Sequence, residues 1–154
     1  MAGPTPSLKG RALRLLAQRE HSRAELQTKL ARHVQEGEDL AAVLDALQAQ
    51  DFINEARVAE SLLHRRAPRL GTQRLLHELR RKGLSEELVR AQAEGLRASE
   101  YERAQAVWAQ RFGQLPATPQ ERARQMRFLA ARGFGGDVVR RVLRSSGAPD
   151  EGAD

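Results

Sequence analysis

The chain has 154 residues, no cysteine and a formal charge of +6, with 40% apolar and 4% aromatic residues. A disulfide scaffold and a thiolate metal site are excluded, and no apolar run approaches the roughly 20 residues needed to cross a bilayer. The start, Met1-Ala2-Gly3-Pro4-Thr5-Pro6, lacks the apolar stretch of a secretory signal, so a cytoplasmic protein without membrane contact is expected.

Ala, Leu, Arg, Glu and Gln dominate, and β-branched residues are few, which favours helices over strands. Residues 1–7 are read as a disordered lead. Helices are predicted over 9–19, 22–34, 39–49, 54–66, 72–82, 85–97, 99–112, 119–132 and 136–145.

The caps are explicit. Ser22-Arg23-Ala24-Glu25 is a capping box, followed by Leu26, Leu30 and Val34 on one face. Asn54 and Ser85 are further N-cap residues. Ser99-Glu100-Tyr101-Glu102 and Thr118-Pro119-Gln120-Glu121 repeat the box, the second with proline at the first helical position. Arg81-Lys82-Gly83-Leu84 and Ala131-Arg132-Gly133-Phe134 read as glycine stops, each followed by an apolar residue that folds back on its helix.

The two stops lie fifty residues apart, and so do their flanking anchors. Leu76 and Leu79 lead to Gly83 and then Leu88-Val89, while Met126 and Leu129 lead to Gly133 and then Val138-Val139. A weaker copy runs from Leu26 and Leu30 to Val43-Leu44, lengthened by Gln35-Glu36-Gly37-Glu38. This predicts an all-α protein of three tandem three-helix repeats, at 8–53, 54–98 and 99–146, forming an elongated, curved array. Residues 147–154 are read as a disordered acidic tail.

Charge is unevenly spread. Residues 8–53 hold seven basic and seven acidic side chains, 54–98 hold ten and six, and 99–149 hold nine and four. The basic excess in the later repeats points to a polyanionic or acidic partner, with the first repeat least involved. Trp108 and Phe112, four residues apart, are read as third-repeat core.

No phosphate-binding glycine loop, nucleophile elbow or zinc-protease helix is present. Gly133, Gly135 and Gly136 are read as a helix stop and restart. His21, His33, His64 and His77 fall near helix ends or on polar faces, and none pairs with another at ligand spacing. The expectation is a binding protein that is not an enzyme and needs no metal or cofactor.

Four segments carry a family resemblance. Residues 12–26 with Lys29-Leu30 resemble the opening of the RecX family, bacterial regulators of the RecA recombinase. Ile53-Asn54-Glu55-Ala56-Arg57-Val58-Ala59-Glu60-Ser61 resembles its second signature. Arg66, Leu70-Gly71 and residues 78–84 resemble its third, and residues 128–134 with Asp137-Val138-Val139 its last. The chain departs from the second signature at Asp51, Glu55 and Val58, where glycine, aspartate and an aromatic are usual.

The resemblance implies a three-by-three helical protein that binds the RecA filament on single-stranded DNA. It also implies suppression of that filament's ATP hydrolysis, strand exchange and co-protease action. Two basic groups are the candidate partner-binding residues: Arg65, Arg66, Arg69, Arg80, Arg81 and Lys82 at the ends of the fourth and fifth helices, and Arg122, Arg124, Arg127, Arg140, Arg141 and Arg144 in the third repeat. Direct binding to DNA by a basic helical surface is the competing expectation. A monomer is expected.

Overall fold

The computed structural model describes residues 3–145 and contains eight α-helices and no strand among them. The expected tail at 147–154 and residues 1–2 of the expected disordered lead lie outside the described residues. The first repeat holds α1 (Leu8–Gln18), α2 (Arg23–Leu30) and α3 (Leu40–Ala49). The second begins with α4 (Glu55–Arg66) and α5 (Thr72–Arg81). One long helix, α6 (Glu86–Arg111), then runs into the third repeat, which is completed by α7 (Pro119–Ala131) and α8 (Gly136–Ser145).

Each repeat has its own small core. Leu26, Leu30, Leu44, Leu47 and Ile53 fill the first, and Leu62, Leu75, Leu79, Val89 and Leu96 the second. The third is built on Trp108, Leu129, Phe134, Val139 and Val142, with Phe112 packed against it, so the reading of Trp108 and Phe112 holds. Buried Trp108 donates its Nε1–H to Gln125 Oε1 at 2.8 Å, which satisfies the one polar atom of that ring.

The expected break between helices at residues 98 and 99 is absent: α6 is a single run of 26 residues, about 39 Å long. The Ser99 box fails because its hydroxyl is used elsewhere. Ser99 Oγ donates to the Leu96 carbonyl and accepts from Arg103 Nε at 3.0 Å. No proline, asparagine or left-handed residue interrupts 96–104. Fifty residues earlier the chain does break, because Asp51 takes a left-handed conformation (φ 65°) and Asn54 caps α4. That conformation also accounts for the glycine usual at position 51. The second expected helix is shorter too: α2 ends at Leu30 in a 3₁₀ turn, leaving Val34 exposed.

Both glycine stops form, with φ of +79° at Gly83 and +90° at Gly133. In the second, Phe134 N–H donates to the Leu129 carbonyl at 3.3 Å, the long-range bond of a Schellman end. Each stop also carries a junction between repeats. A Cβ on Gly83 would lie 2.5 Å from Ala24 Cβ, and one on Gly133 would lie 2.4 Å from Arg74 Cβ. Gly71 approaches Gly133 so closely that its own Cβ would fall 2.1 Å from the Gly133 carbonyl oxygen.

Gly71→Ala is therefore expected to cost more than about 3 kcal/mol, because backbone rather than a flexible side chain must yield. Gly95→Ala, in α6 with nothing within 4 Å of an added Cβ, should instead stabilise by about 0.5–1 kcal/mol. Urea unfolding of the two variants checks both signs.

Candidate interaction surface

The second repeat frames an open groove of about 420 Å³ where α4 and α5 end. Arg65 and Arg66 reach it from α4, while Arg81 and Lys82 reach it from the end of α5. Four of the six cations expected to act together are thus gathered. The other two are not: exposed Arg80 turns to Glu86 at 2.7 Å, and Arg69 lies in a separate cleft.

The groove is less positive than its cations suggest, because Glu25 and Glu78 also line it. Arg66 holds Glu78 with two bonds, Nε to Oε2 at 3.0 Å and Nη2 to Oε1 at 2.5 Å. That grip lowers the Glu78 pKa. Arg65 and Arg81 are exposed and form no ion pair among the described residues, although Arg65 Nε reaches the Ser61 carbonyl. They are the groove's cations without an acidic partner among the described residues.

Lys82 has a structural task. Its Nζ reaches Glu25 Oε2 in the first repeat at 3.0 Å, and its carbonyl accepts from Ser22 Oγ. Burial pushes the Glu25 carboxyl up, but bonds from Arg19, the Ser22 amide and Lys82 more than offset it and bring the pKa down to about 2. Ser22 and Glu25 still complete their capping box. Nearby His21, between the end of α1 and the start of α2, is buried, with Nδ1 at 3.0 Å from the Arg19 carbonyl and Nε2 at 3.0 Å from Lys29 Nζ.

The third-repeat cations do not converge. Arg140 pairs with Asp137, and the Arg141 guanidinium lies 3.8 Å from the Tyr101 ring centroid. Arg124, Arg127 and Arg144 are exposed and Arg122 is half-buried. None of these six lines the central groove, the groove that gathers Arg69, Arg111 and Arg132, or the groove that gathers Arg11, Lys29, Arg32 and His33. Among the described residues no three His, Asp or Glu side chains are grouped to hold a metal, and no helix is long and apolar enough to cross a membrane.

Two further residues escaped the sequence reading because their partners lie far along the chain. Buried Glu100 Oε1 accepts from the Thr72 amide at 3.0 Å, capping α5 where Gly71 offers no side chain. Arg103 donates to the carbonyls of Ala67, Leu70 and Leu96, and its burial lowers its pKa.

Family models for the first, second and third three-helix domains of RecX match residues 9–47, 54–91 and 98–143. The chain belongs to the RecX family. It is 53% identical over 141 residues to the regulatory protein RecX of Leptothrix cholodnii, covering 92% of this chain and 90% of that relative. Against the Ralstonia nicotianae protein of the same name the identity is 47%, with 92% and 89% covered. The crystal structure of RecX from Lactobacillus salivarius shares the fold at a TM-score of 0.73 and 18% identity, over 90% of this chain and 94% of that one. The second and third domain models meet inside α6, so the family's unit boundary does not coincide with a break in the helix.

Glu25 gives a pH-dependent prediction. Its folded pKa lies below the ordinary 4.5, so the stabilisation it supplies is present above pH 4.5 and is lost as pH falls toward 2. Glu25→Gln should lower stability at pH 7 by about 1–3 kcal/mol and flatten the decline between pH 4.5 and 2. Urea melts across that range measure both.

Proposed function

We propose that this RecX-family protein binds the RecA recombinase filament on single-stranded DNA in the cytoplasm and suppresses its ATP hydrolysis, strand exchange and co-protease action. The observation that carries the reading is family membership across all three domains, joined to an open central groove whose Arg65 and Arg81 are exposed and unpaired with any acid among the described residues. The role is regulatory rather than catalytic, and the working unit is a monomer of three tandem units, 8–53, 54–98 and 99–146. A three-unit body presents successive surfaces along one face, which suits a partner that repeats along a filament.

The central groove supports contact through Arg65 and Arg81 more than through Arg80 and Lys82. Reversing Arg80, Arg81 and Lys82 together would also set a glutamate against Glu25 at the first junction, confounding binding with stability. Arg65→Glu with Arg81→Glu avoids that. Both side chains are exposed, so the fold should lose no more than about 1 kcal/mol.

The test is ATP hydrolysis by the host recombinase on single-stranded DNA. Wild-type protein should inhibit at near-stoichiometric amounts, and the double variant should need at least about tenfold more, the deficit shrinking as salt screens the repulsion. Unchanged hydrolysis with wild-type protein would overturn the regulatory reading. Full inhibition by a folded double variant would remove the central groove from the interface.

A further inference from the structure

Where the second and third repeats meet, Arg69, Arg111 and Arg132 line a cleft of about 400 Å³ that contains no acidic side chain. They come from three elements: the 3₁₀ turn after α4, the last turn of α6 and the C-cap of α7. Two of them are braced by aromatic rings. The Arg111 guanidinium lies 5.4 Å and that of Arg132 5.1 Å from the Phe128 ring centroid. Phe112 meets Phe128 edge-on at 5.4 Å and is itself 5.9 Å from the Arg111 guanidinium.

The backbone beneath these side chains is fixed as well. The Arg132 carbonyl accepts from the Gly71 amide at 2.8 Å, and Arg103 grips the carbonyls of Ala67 and Leu70 on either side of Arg69. Like Arg65 and Arg81, and unlike Arg66 and Lys82, these three form no ion pair among the described residues. Helix ends favour a cation singly. They do not account for three converging on one cleft with no acidic side chain in its lining.

The cleft wall identifies the class of anion. Pro68, Val107 and Phe128 add apolar surface beside the guanidinium groups. A bare carboxylate would engage the charges and leave that wall unused. A duplex hides its base faces, whereas an unpaired nucleotide presents a phosphate and a flat apolar face together, which planar guanidinium and aromatic groups both accept. The volume is that of a small-ligand pocket, enough for about one nucleotide.

We infer that Arg69, Arg111 and Arg132 form a binding site for the phosphodiester backbone of single-stranded nucleic acid, with Phe128 holding two of the guanidinium groups in place. This site requires no recombinase and is separate from the central groove, so it goes beyond the regulatory reading.

The experiment measures binding of the full chain to labelled oligo(dT) by fluorescence anisotropy over a salt series. Arg69→Gln, Arg111→Gln and Arg132→Gln are combined, with Arg14→Gln, Arg90→Gln and Arg97→Gln as a charge-matched control. Emission of Trp108 reports whether each variant is folded. If the three-substitution variant loses its fold, Arg69→Gln alone is used, since that exposed side chain braces no ring.

Losing three phosphate contacts should flatten the slope of log Kd against log salt by about 2, or by about 0.7 for Arg69 alone. Affinity at low salt should fall at least about tenfold in the triple variant, and the control should change far less. Arg111→Lys with Arg132→Lys, which keeps charge without the planar fork, should keep the slope and recover affinity only in part. The inference is overturned by an unchanged slope in a folded variant, by an equal loss in the control, or by polyglutamate or duplex competing as well as oligo(dT). Because no recombinase is present, failure here leaves the ATP-hydrolysis result standing, and failure there leaves this one.

Discussion

The repeats are held in register by backbone contacts that leave no room for a Cβ. At the first junction Gly83 abuts Ala24, and at the second Gly133 abuts Arg74. Both members of the pair shift by fifty residues from one junction to the next. The carbonyl before each glycine is used the same way, since Lys82 accepts from Ser22 Oγ and Arg132 accepts from the Gly71 amide. One device, a glycine-ended helix pressed onto the start of a helix in the preceding repeat, therefore joins all three units. Glycine serves twice there, in ending the helix with positive φ and in permitting the approach.

The junctions differ in what surrounds that contact. The first is reinforced by ion pairs: Lys82 with Glu25, and Arg57 with Glu20 at 2.9 Å. The second is reinforced by buried polar groups, with Glu100 capping α5 and Arg103 collecting carbonyls, and by the unbroken α6. A continuous helix resists bending, while half-buried pairs such as Arg57–Glu20 are only partly shielded from salt. The first junction borders the central groove through Glu25 and Lys82.

Local signals were legible wherever a residue's task is completed by its own neighbours. Ser22, Asn54, Ser85 and Thr118 each accept an amide three residues on, and Gly83 and Gly133 end their helices as their flanking residues imply. Ser99 carries the same pattern and does not cap, because its hydroxyl donates to the Leu96 carbonyl and accepts from Arg103, whose Nη1 reaches the carbonyls of Ala67 and Leu70 more than thirty residues away. Arg103 stands one helical turn after Ser99, but the distant carbonyls that hold its guanidinium leave no trace in the spacing. The pairing of Lys82 with Glu25 and of Arg66 with Glu78 was hidden for the same reason, and with it the difference between cations that hold the fold and cations left for a partner. Arg111 and Arg132 are absent from the candidate partner-binding residues because neither belongs to a basic run, although an arginine beside Phe112 and another near Phe128 are visible hints.

Summed charge also misleads where acids and bases face different ways. The first repeat balances at seven and seven, yet Glu20, Glu25, Asp45 and Asp51 are engaged with Arg57, Arg19, Lys82 and Arg23 at or near its junction side. Arg11, Lys29 and Arg32 are left around a groove of about 510 Å³ with no acid in its lining. His33 sits among them, its pKa lowered by desolvation and then by Arg11 and Arg32, so it adds no charge near neutrality. The expectation that this repeat matters least for charge-dependent contact followed from the total, and screening makes the total a poor guide. Beyond about 10 Å exposed charges scarcely sense one another at ordinary salt, so a partner meets the local groove and not the sum over the repeat.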